Sequence, residues 1–309
     1  MIRLENITKQ YGNQLALKDL TLEIQEGECL VLIGPSGCGK SSLLKTVNRL
    51  VEPDAGKIYL DGVDTQSIEV TTLRRQMGYC IQNVGLFPHY TVAQNIATVL
   101  KLMNASQVKI EDRVDELMDL VHLPQQLKDK YPHQLSGGEA QRVGVCRALA
   151  ANPKILLMDE PFGAVDPLNR ERIQHEFKKL QTSLKKTVLF VTHDLEEAIL
   201  LGDRIALMHE GEILELKSPK ALAKSTNPQV LDFIGKDYFV KVLNHDFVDV
   251  LELEKTLNIQ NAFIFEEKLS LKAVLALLLK HDRILYHSQE SYFEVKLQNI
   301  IEYLRNDND

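Results

Sequence analysis

Residues 29–42 read CLVLIGPSGCGKSS, five apolar side chains breaking into a glycine-rich turn. An apolar run with no polar alternation predicts a strand buried on both faces. The turn matches G-x-x-x-x-G-K-[ST] from Gly34 to Ser41, and SSLLKTVNRL behind it spaces Leu43, Leu44, Val47 and Leu50 for a helix. Strand, turn and helix in that order make a phosphate cradle, because backbone N–H groups can close around an anion at the helix N-terminus. The cradle comprises Gly34, Pro35, Ser36, Gly37, Cys38, Gly39, Lys40, Ser41 and Ser42. In it Lys40 reaches the β/γ oxygens of a nucleoside triphosphate and Ser41 offers its hydroxyl to Mg²⁺. Cys38 is expected either to fill the turn as a small side chain or to expose a thiol beside the bound phosphate, which would make turnover sensitive to oxidation.

Two further apolar strands end in chemistry-bearing residues. ILLMDE delivers Asp159 and Glu160, and TVLFVTHD delivers His193. Ligands of open α/β sheets bind at the C-terminal ends of the strands, so all three fall at the edge that carries Lys40. Asp159 is expected to hold Mg²⁺, Glu160 to polarise the water attacking the γ-phosphate, and His193 to contact that phosphate.

The rest of the chain frames these motifs. IRLENITKQY and LTLEIQ alternate as strands, and DAGKIYLDGVD reads as a hairpin. Residues 84–151 are mainly helical; VDELMDLVHL, for example, puts Val114, Leu117, Met118 and Val121 on one face. Strands alternating with helices predict an α/β fold with a parallel sheet, here with a helical segment inserted in residues 1–235. Residues 236–309 read as a small α+β module of β-α-β-β-α order: AFIFE, a helix capped by Ser270, RILYH, YFEVK and LQNIIEYLRN.

Composition narrows the function classes. The 309 residues carry a net charge of −7, which argues against a nucleic-acid partner. Cys29, Cys38, Cys80 and Cys146 form no CxxC pair, which argues against zinc and disulfides and fits a reducing cytosol. The start MIRLENITKQYG has no apolar signal region, and AVLALLL falls far short of the about 20 residues of a membrane span. Work at a membrane is therefore expected to go through a partner.

GPSGCGKSS, Gln82 in YCIQN, LSGGE at 135–139, ILLMDE, GAVD and VTHD follow one another in the order and approximate spacing of ABC-transporter ATPases. Residues 1 to about 235 resemble that family, which implies a P-loop ABC ATPase core binding ATP and Mg²⁺. The resemblance implies that Tyr11 stacks on adenine and that Gln82 links Mg²⁺ and the γ-phosphate to the transporter contact. It also implies that Asp166 is the D-loop acid and His193 the switch histidine. Ser136, Gly137 and Gly138 become a second cradle, capping the γ-phosphate held by a second copy in a homodimer. Two departures stand out: GAVD replaces the commoner SALD, and Glu139 replaces the Gln of LSGGQ. Glu139 suits a helix N-terminus but repels a phosphate, so a solvated position at the rim is expected.

VNRLVEPDAGKIYLDG, LRRQMGYCIQNVGLFPHYTVAQNIATV and KYPHQLSGGEAQRVGVCRALAANPKILLMDEPFGAVDP resemble the importer ATPases for glycine betaine, carnitine and choline. That implies integral membrane permease subunits, an extracytoplasmic substrate-binding protein and a peripheral place on the cytoplasmic face of the inner (plasma) membrane. Amino-acid and methionine importers share much of this wording, so an ATPase of that type is the alternative. A soluble ABC ATPase of repair or translation and a P-loop kinase are further alternatives. The tail resembles one degenerate CBS module without its [ST]-x-x-D ending, leaving a ligand sensor and a structural or dimer-stabilising tail both open.

Overall fold

Why the three apolar strands end together is answered by the sheet that holds them. In the computed structural model, residues 1–305 are described apart from 83, 84, 236, 247, 249, 250, 257 and 290, with the backbone alone at 167–169 and 305. The expected starts of the helical segment at 84 and of the tail module at 236, and its end at 309, lie outside the described residues.

Elements β1 (Ile2–Tyr11), β2 (Gln14–Ile24) and β3 (Cys29–Ile33) lead into α1 (Lys40–Val47). The hairpin β4 (Ala55–Leu60) and β5 (Val63–Asp64), α2 (Val70–Arg75) and β6 (Met77–Cys80) come next. The inserted helices are α3 (Val92–Leu102), α4 (Gln107–Leu120) and α5 (Gly137–Leu149). The chain returns through β7 (Ile155–Asp159), α6 (Pro167–Ser183), β8 (Thr187–Val191), α7 (Leu195–Leu201), β9 (Arg204–His209) and β10 (Glu212–Lys217).

Two sheets result. β2-β1-β4-β5 is antiparallel, and its strands alternate buried and exposed residues because only one face meets the core. The six-stranded sheet runs β10-β9-β3-β8-β7-β6, with β9, β3, β8, β7 and β6 parallel. β3, β7 and β8 are buried along their whole length, which is why they read as continuous apolar runs. One core joins the sheets: Ile2, Leu4 and Ile24 from the first cluster with Leu30, Leu189 and Met208 from the second and Leu43, Leu44 and Val47 of α1.

In the helical insert, Val114, Leu117, Met118 and Val121 are buried, as their spacing predicts. Its entry is organised by Asn95 of α3, a fully buried amide that sequence reading passed over. Its oxygen accepts from Phe87 N–H at 2.8 Å, and its Nδ2 donates to the carbonyls of Phe87 (3.2 Å), Tyr90 (3.1 Å) and Thr91 (3.0 Å). One side chain thus satisfies the backbone of the loop beyond Gln82.

The chain divides into compact units Met1–Leu216 and Lys217–Asp309, earlier than the expected boundary at 235. Segment 217–235 belongs to the second unit because buried Tyr238 donates its hydroxyl to the Pro219 carbonyl (3.1 Å) and Lys220 lies 4.1 Å over the Tyr303 ring. That unit contains α8 (Pro219–Leu222), α9 (Pro228–Ile234), α10 (Tyr238–His245), β11 (Glu254–Thr256) and β12 (Phe263–Phe265). It continues through α11 (Leu271–Leu278), β13 (Ile284–Ser288), β14 (Ser291–Val295) and α12 (Leu297–Arg305). Ser270 caps α11 by accepting from Ala273 N–H, and β13–β14 is the expected hairpin. β11, which sequence reading did not separate from loop, completes the sheet β11-β14-β13-β12.

The Asn95 network leads to a test. Asn95→Ala leaves one N–H and three carbonyls without that partner, so stability should fall by about 1–3 kcal/mol. Urea unfolding checks the loss, and hydrogen exchange should show Phe87 N–H losing protection.

Candidate active site

The parallel strands deliver their C-terminal ends to one edge, and the site is assembled there. Gly34 leaves β3 at φ 149°, and a Cβ at this position would collide with the Met208 carbonyl of β9. The glycine therefore lets the loop pass close to the neighbouring strand. The loop wraps to α1, where Lys40 is buried and donates to the carbonyls of Gly34 (2.7 Å) and Pro35 (2.9 Å). Cys38 faces inward at 5 % exposure, its sulfur 3.6 Å from Lys40 Nζ. Of the two expectations the small filler holds and the accessible thiol does not: Cys38 packs into the hydrophobic core beneath the loop, away from solvent. All four cysteines are free and buried.

A cleft of about 430 Å³ opens above the loop. It is lined by Ser36, Gly37, Gly39, Lys40, Ser41 and Ser42, with Tyr11, Gln14 and Ala16 on one side and Gln82 and Glu160 on the other. Tyr11 is half-exposed, with Lys9 Nζ 5.6 Å from its ring centroid. Gly34, Pro35 and Cys38 form the back of the loop and do not line the cleft.

Asp159 and His193 join the cleft through its lining. Ser41 Oγ donates to Asp159 Oδ1 at 3.1 Å. Burial at the end of β7 pushes the Asp159 carboxyl above its ordinary pKa, opposed by that hydrogen bond. Two hard oxygens beside a phosphate cradle fit Mg²⁺, which takes one or two protein oxygens and completes its shell with phosphates and water. Glu160 Oε2 accepts from Gln82 Nε2 (3.2 Å) and pairs with His193 Nδ1 (3.3 Å), so one carboxylate oxygen joins the ends of β6, β7 and β8.

Ser136, Gly137 and Gly138 do not line this cleft. Ser136 caps α5, and its two first-turn glycines lie against the segment after Glu160. A Cβ on Gly138 would sit 3.2 Å from the Ala164 carbonyl and 3.4 Å from Val165 Cα, so a larger residue would push the two apart. Glu139 stays partly exposed at the rim, as expected, and there turns back onto Ser136. Its Oε2 accepts from Ser136 N–H (2.7 Å) and Ser136 Oγ (2.8 Å), while its own N–H donates to Ser136 Oγ (3.3 Å). This reciprocal cap holds the Glu139 carboxyl below the usual carboxylate range. The cap forms because two orphan groups at the helix end are satisfied at once. Asp166 precedes α6, and its carbonyl accepts from Arg170 N–H at 2.8 Å.

The comparisons with known proteins agree with this geometry. The ABC transporter family model matches residues 17–163. The carnitine transport ATP-binding protein OpuCA of Listeria monocytogenes is 45 % identical over 286 residues, covering 92 % of this chain and 70 % of that protein. The chain belongs to the ABC transporter ATP-binding proteins. The choline transport ATP-binding protein OpuBA of Bacillus subtilis is 44 % identical (92 % and 74 % covered). The glycine betaine uptake system ATP-binding protein YehX of Escherichia coli is 50 % identical over 237 residues (76 % and 77 % covered). Among solved structures, a bacterial ABC transporter cassette in dimeric form matches with TM-score 0.68 at 37 % identity, covering 71 % of this chain and 98 % of that one.

In this ABC ATPase, several site-supporting residues were invisible to motif reading. Gln141 of α5 bonds the backbone at Glu160 and Ala164. Its signal was spacing, since 137, 138 and 141 share a helix face. Arg170 donates to the carbonyls of Gly163 (3.3 Å) and Val165 (2.8 Å) and lies 3.9 Å from Asp194. Those partners are backbone groups fixed only by the fold, so nothing in the string marks the residue.

Glu197 of α7 lies beneath the His193 loop at 6 % exposure. It accepts from Gln174 Nε2 (2.9 Å) and is bonded to Thr192, whose oxygen in turn accepts from Asp194 N–H (3.0 Å). Desolvation raises the Glu197 pKa from 4.5 to about 6. Between these values the folded chain keeps a proton that the unfolded chain has released, so stability falls as pH rises through that window and levels above it. The loss is of the order of 2 kcal/mol. Glu197→Gln should remove this component, unfolding at higher urea than wild type at pH 7.5 and nearly alike at pH 4.5.

Proposed function

We propose that the chain is the ATP-hydrolysing subunit of an importer for a quaternary-amine osmoprotectant of the glycine betaine, carnitine and choline class. The observation that carries the substrate class is the extent of similarity. Relatives named for carnitine and choline align over 92 % of this chain, and a glycine betaine/carnitine/choline relative over 97 %. The glycine betaine relative YehX aligns over 76 % at 50 % identity, whereas a sulfate/thiosulfate relative of Synechococcus elongatus aligns over 76 % at 42 %. Separate permease subunits, a peripheral place on the cytoplasmic face of the inner (plasma) membrane and a substrate-binding protein outside complete the system. No described helix is long and apolar enough to cross a membrane. The half-exposed rings of Phe87 and Tyr90, beside Gln82 in sequence, suit the permease contact.

Position in and around the cleft supports the role proposed for each residue. Tyr11 stacks on adenine at one side of the cleft, and the loop N–H groups receive the phosphates. Lys40 exchanges its loop carbonyls for β/γ oxygens. Ser41, Asp159 and Gln82 would hold Mg²⁺, which would supply positive charge to the phosphate oxygens. Glu160 accepts a proton from water as that water's oxygen bonds the γ-phosphorus and the bond to ADP breaks. His193 orients the γ-phosphate. Ser136, Gly137 and Gly138 of a second copy close over it, which makes ATP the joint of a homodimer; the dimeric form of the similar cassette supports this. Asp166 stands at the same joint.

The tail is a degenerate CBS-like module, a reading supported by its β12-α11-β13-β14-α12 order.

Two experiments test the reading. Glu160→Gln should still bind ATP, lose nearly all hydrolysis and accumulate as an ATP-bound dimer by size exclusion; wild-type turnover would remove Glu160 as the base. Uptake of labelled glycine betaine, carnitine, choline, methionine and sulfate by cells carrying the complete transporter should be confined to the quaternary amines. Methionine or sulfate uptake alone would replace that substrate class.

A further inference from the structure

The side chain of Gln141 spans the two ends of the turn after Glu160. Its Nε2 donates to the Glu160 carbonyl at 2.8 Å, and its Oε1 accepts from Ala164 N–H at 2.7 Å. The amide is 3 % exposed and both of its bonds are partly buried, so the side chain itself has little access to water. Glu160 itself adopts φ 48°, a left-handed backbone that costs a non-glycine residue roughly 1–2 kcal/mol and persists only where its surroundings hold it. Two bonds hold this peptide from opposite sides: Glu160 N–H donates to the Val191 carbonyl of β8 (2.9 Å), and Gln141 takes its carbonyl. The first turn of α5 adds a third restraint, with Gly138 in near contact with Ala164 and Val165.

We infer that Gln141 is a positioning residue that couples the two ATP sites of the homodimer. The inference rests on the paired-site reading above and deepens it. Ser136 and Gly138 of one chain meet the nucleotide held by the other chain, whereas Glu160 serves the nucleotide held by its own. Gln141 lies on the same helix as Ser136 and Gly138 and is hydrogen-bonded to the backbone of Glu160 and Ala164 within one chain. Engagement of the first nucleotide moves α5, and the amide carries that movement to the backbone of the glutamate at the second. An apolar residue of the same length would let the helix close without aligning the base.

The test uses the purified full chain with Gln141→Met, which keeps length and loses both bonds, and Gln141→Glu, which keeps the acceptor for Ala164 N–H and loses the donor to Glu160. Affinity for a fluorescent ATP analogue and KM should stay within about twofold, because Gln141 is not among the cleft-lining residues. ATP-driven dimerisation of Gln141→Met in the Glu160→Gln background should persist. kcat should fall roughly 10- to 100-fold for both variants. The Hill coefficient for ATP should drop toward about 1 from a wild-type value approaching the limit of about 2 set by two sites. A folded Gln141→Met or Gln141→Glu protein with wild-type kcat and cooperativity overturns the inference. Loss of analogue binding together with thermal stability also overturns it, since the residue would then be structural. A wild-type chain that neither dimerises with ATP nor shows cooperativity overturns the paired-site reading, and the coupling with it.

Discussion

The parallel register of β3, β8, β7 and β6 is the constraint on which the rest depends. Strands hydrogen-bonded in one direction must end at one edge, so residues from four distant parts of the chain arrive within reach of a single phosphate cradle. The register pairs Leu32 with Val191 and Asp159 with Val191, which brings the ends of three strands level. The Ser41–Asp159 bond and the Gln82–Glu160–His193 cluster are consequences of that alignment. A parallel sheet also demands cover on both faces, which the antiparallel sheet, α1 and the helices between strands provide.

Above this rigid base the groups facing the nucleotide are held by backbone contacts. Asn95 fixes the loop after Gln82, Arg170 holds the carbonyls of Gly163 and Val165, and Glu197 with Thr192 supports the His193 loop. Each supporting side chain is polar and lies beside a segment that carries a reactive group. The energetic logic is shared: a loop cannot bury its backbone groups without partners, and a side chain that supplies them also fixes the loop's position.

Glu139 illustrates how local chemistry adds to a plausible charge argument. An anion in the signature turn looked like a residue for the solvent rim. At that rim the helix end also uses it to close a cap on Ser136, engaging the Ser136 hydroxyl. At Cys38 the fold decides between two expectations: the thiol faces inward as a filler and is not exposed.

The sequence by itself determined the buried strands, the phosphate cradle, the helical insert and the order of the motifs, because apolar runs and fixed spacings are local properties of the chain. It also carried the family, through six motifs in one order. Tertiary structure alone decided the roles of Gln141, Arg170, Asn95 and Glu197, the 216/217 division and strand β11. Those depend on backbone groups and partners far apart in the chain, such as Gln141 with Glu160 and Tyr238 with Pro219, and no local pattern encodes which distant group a side chain will meet.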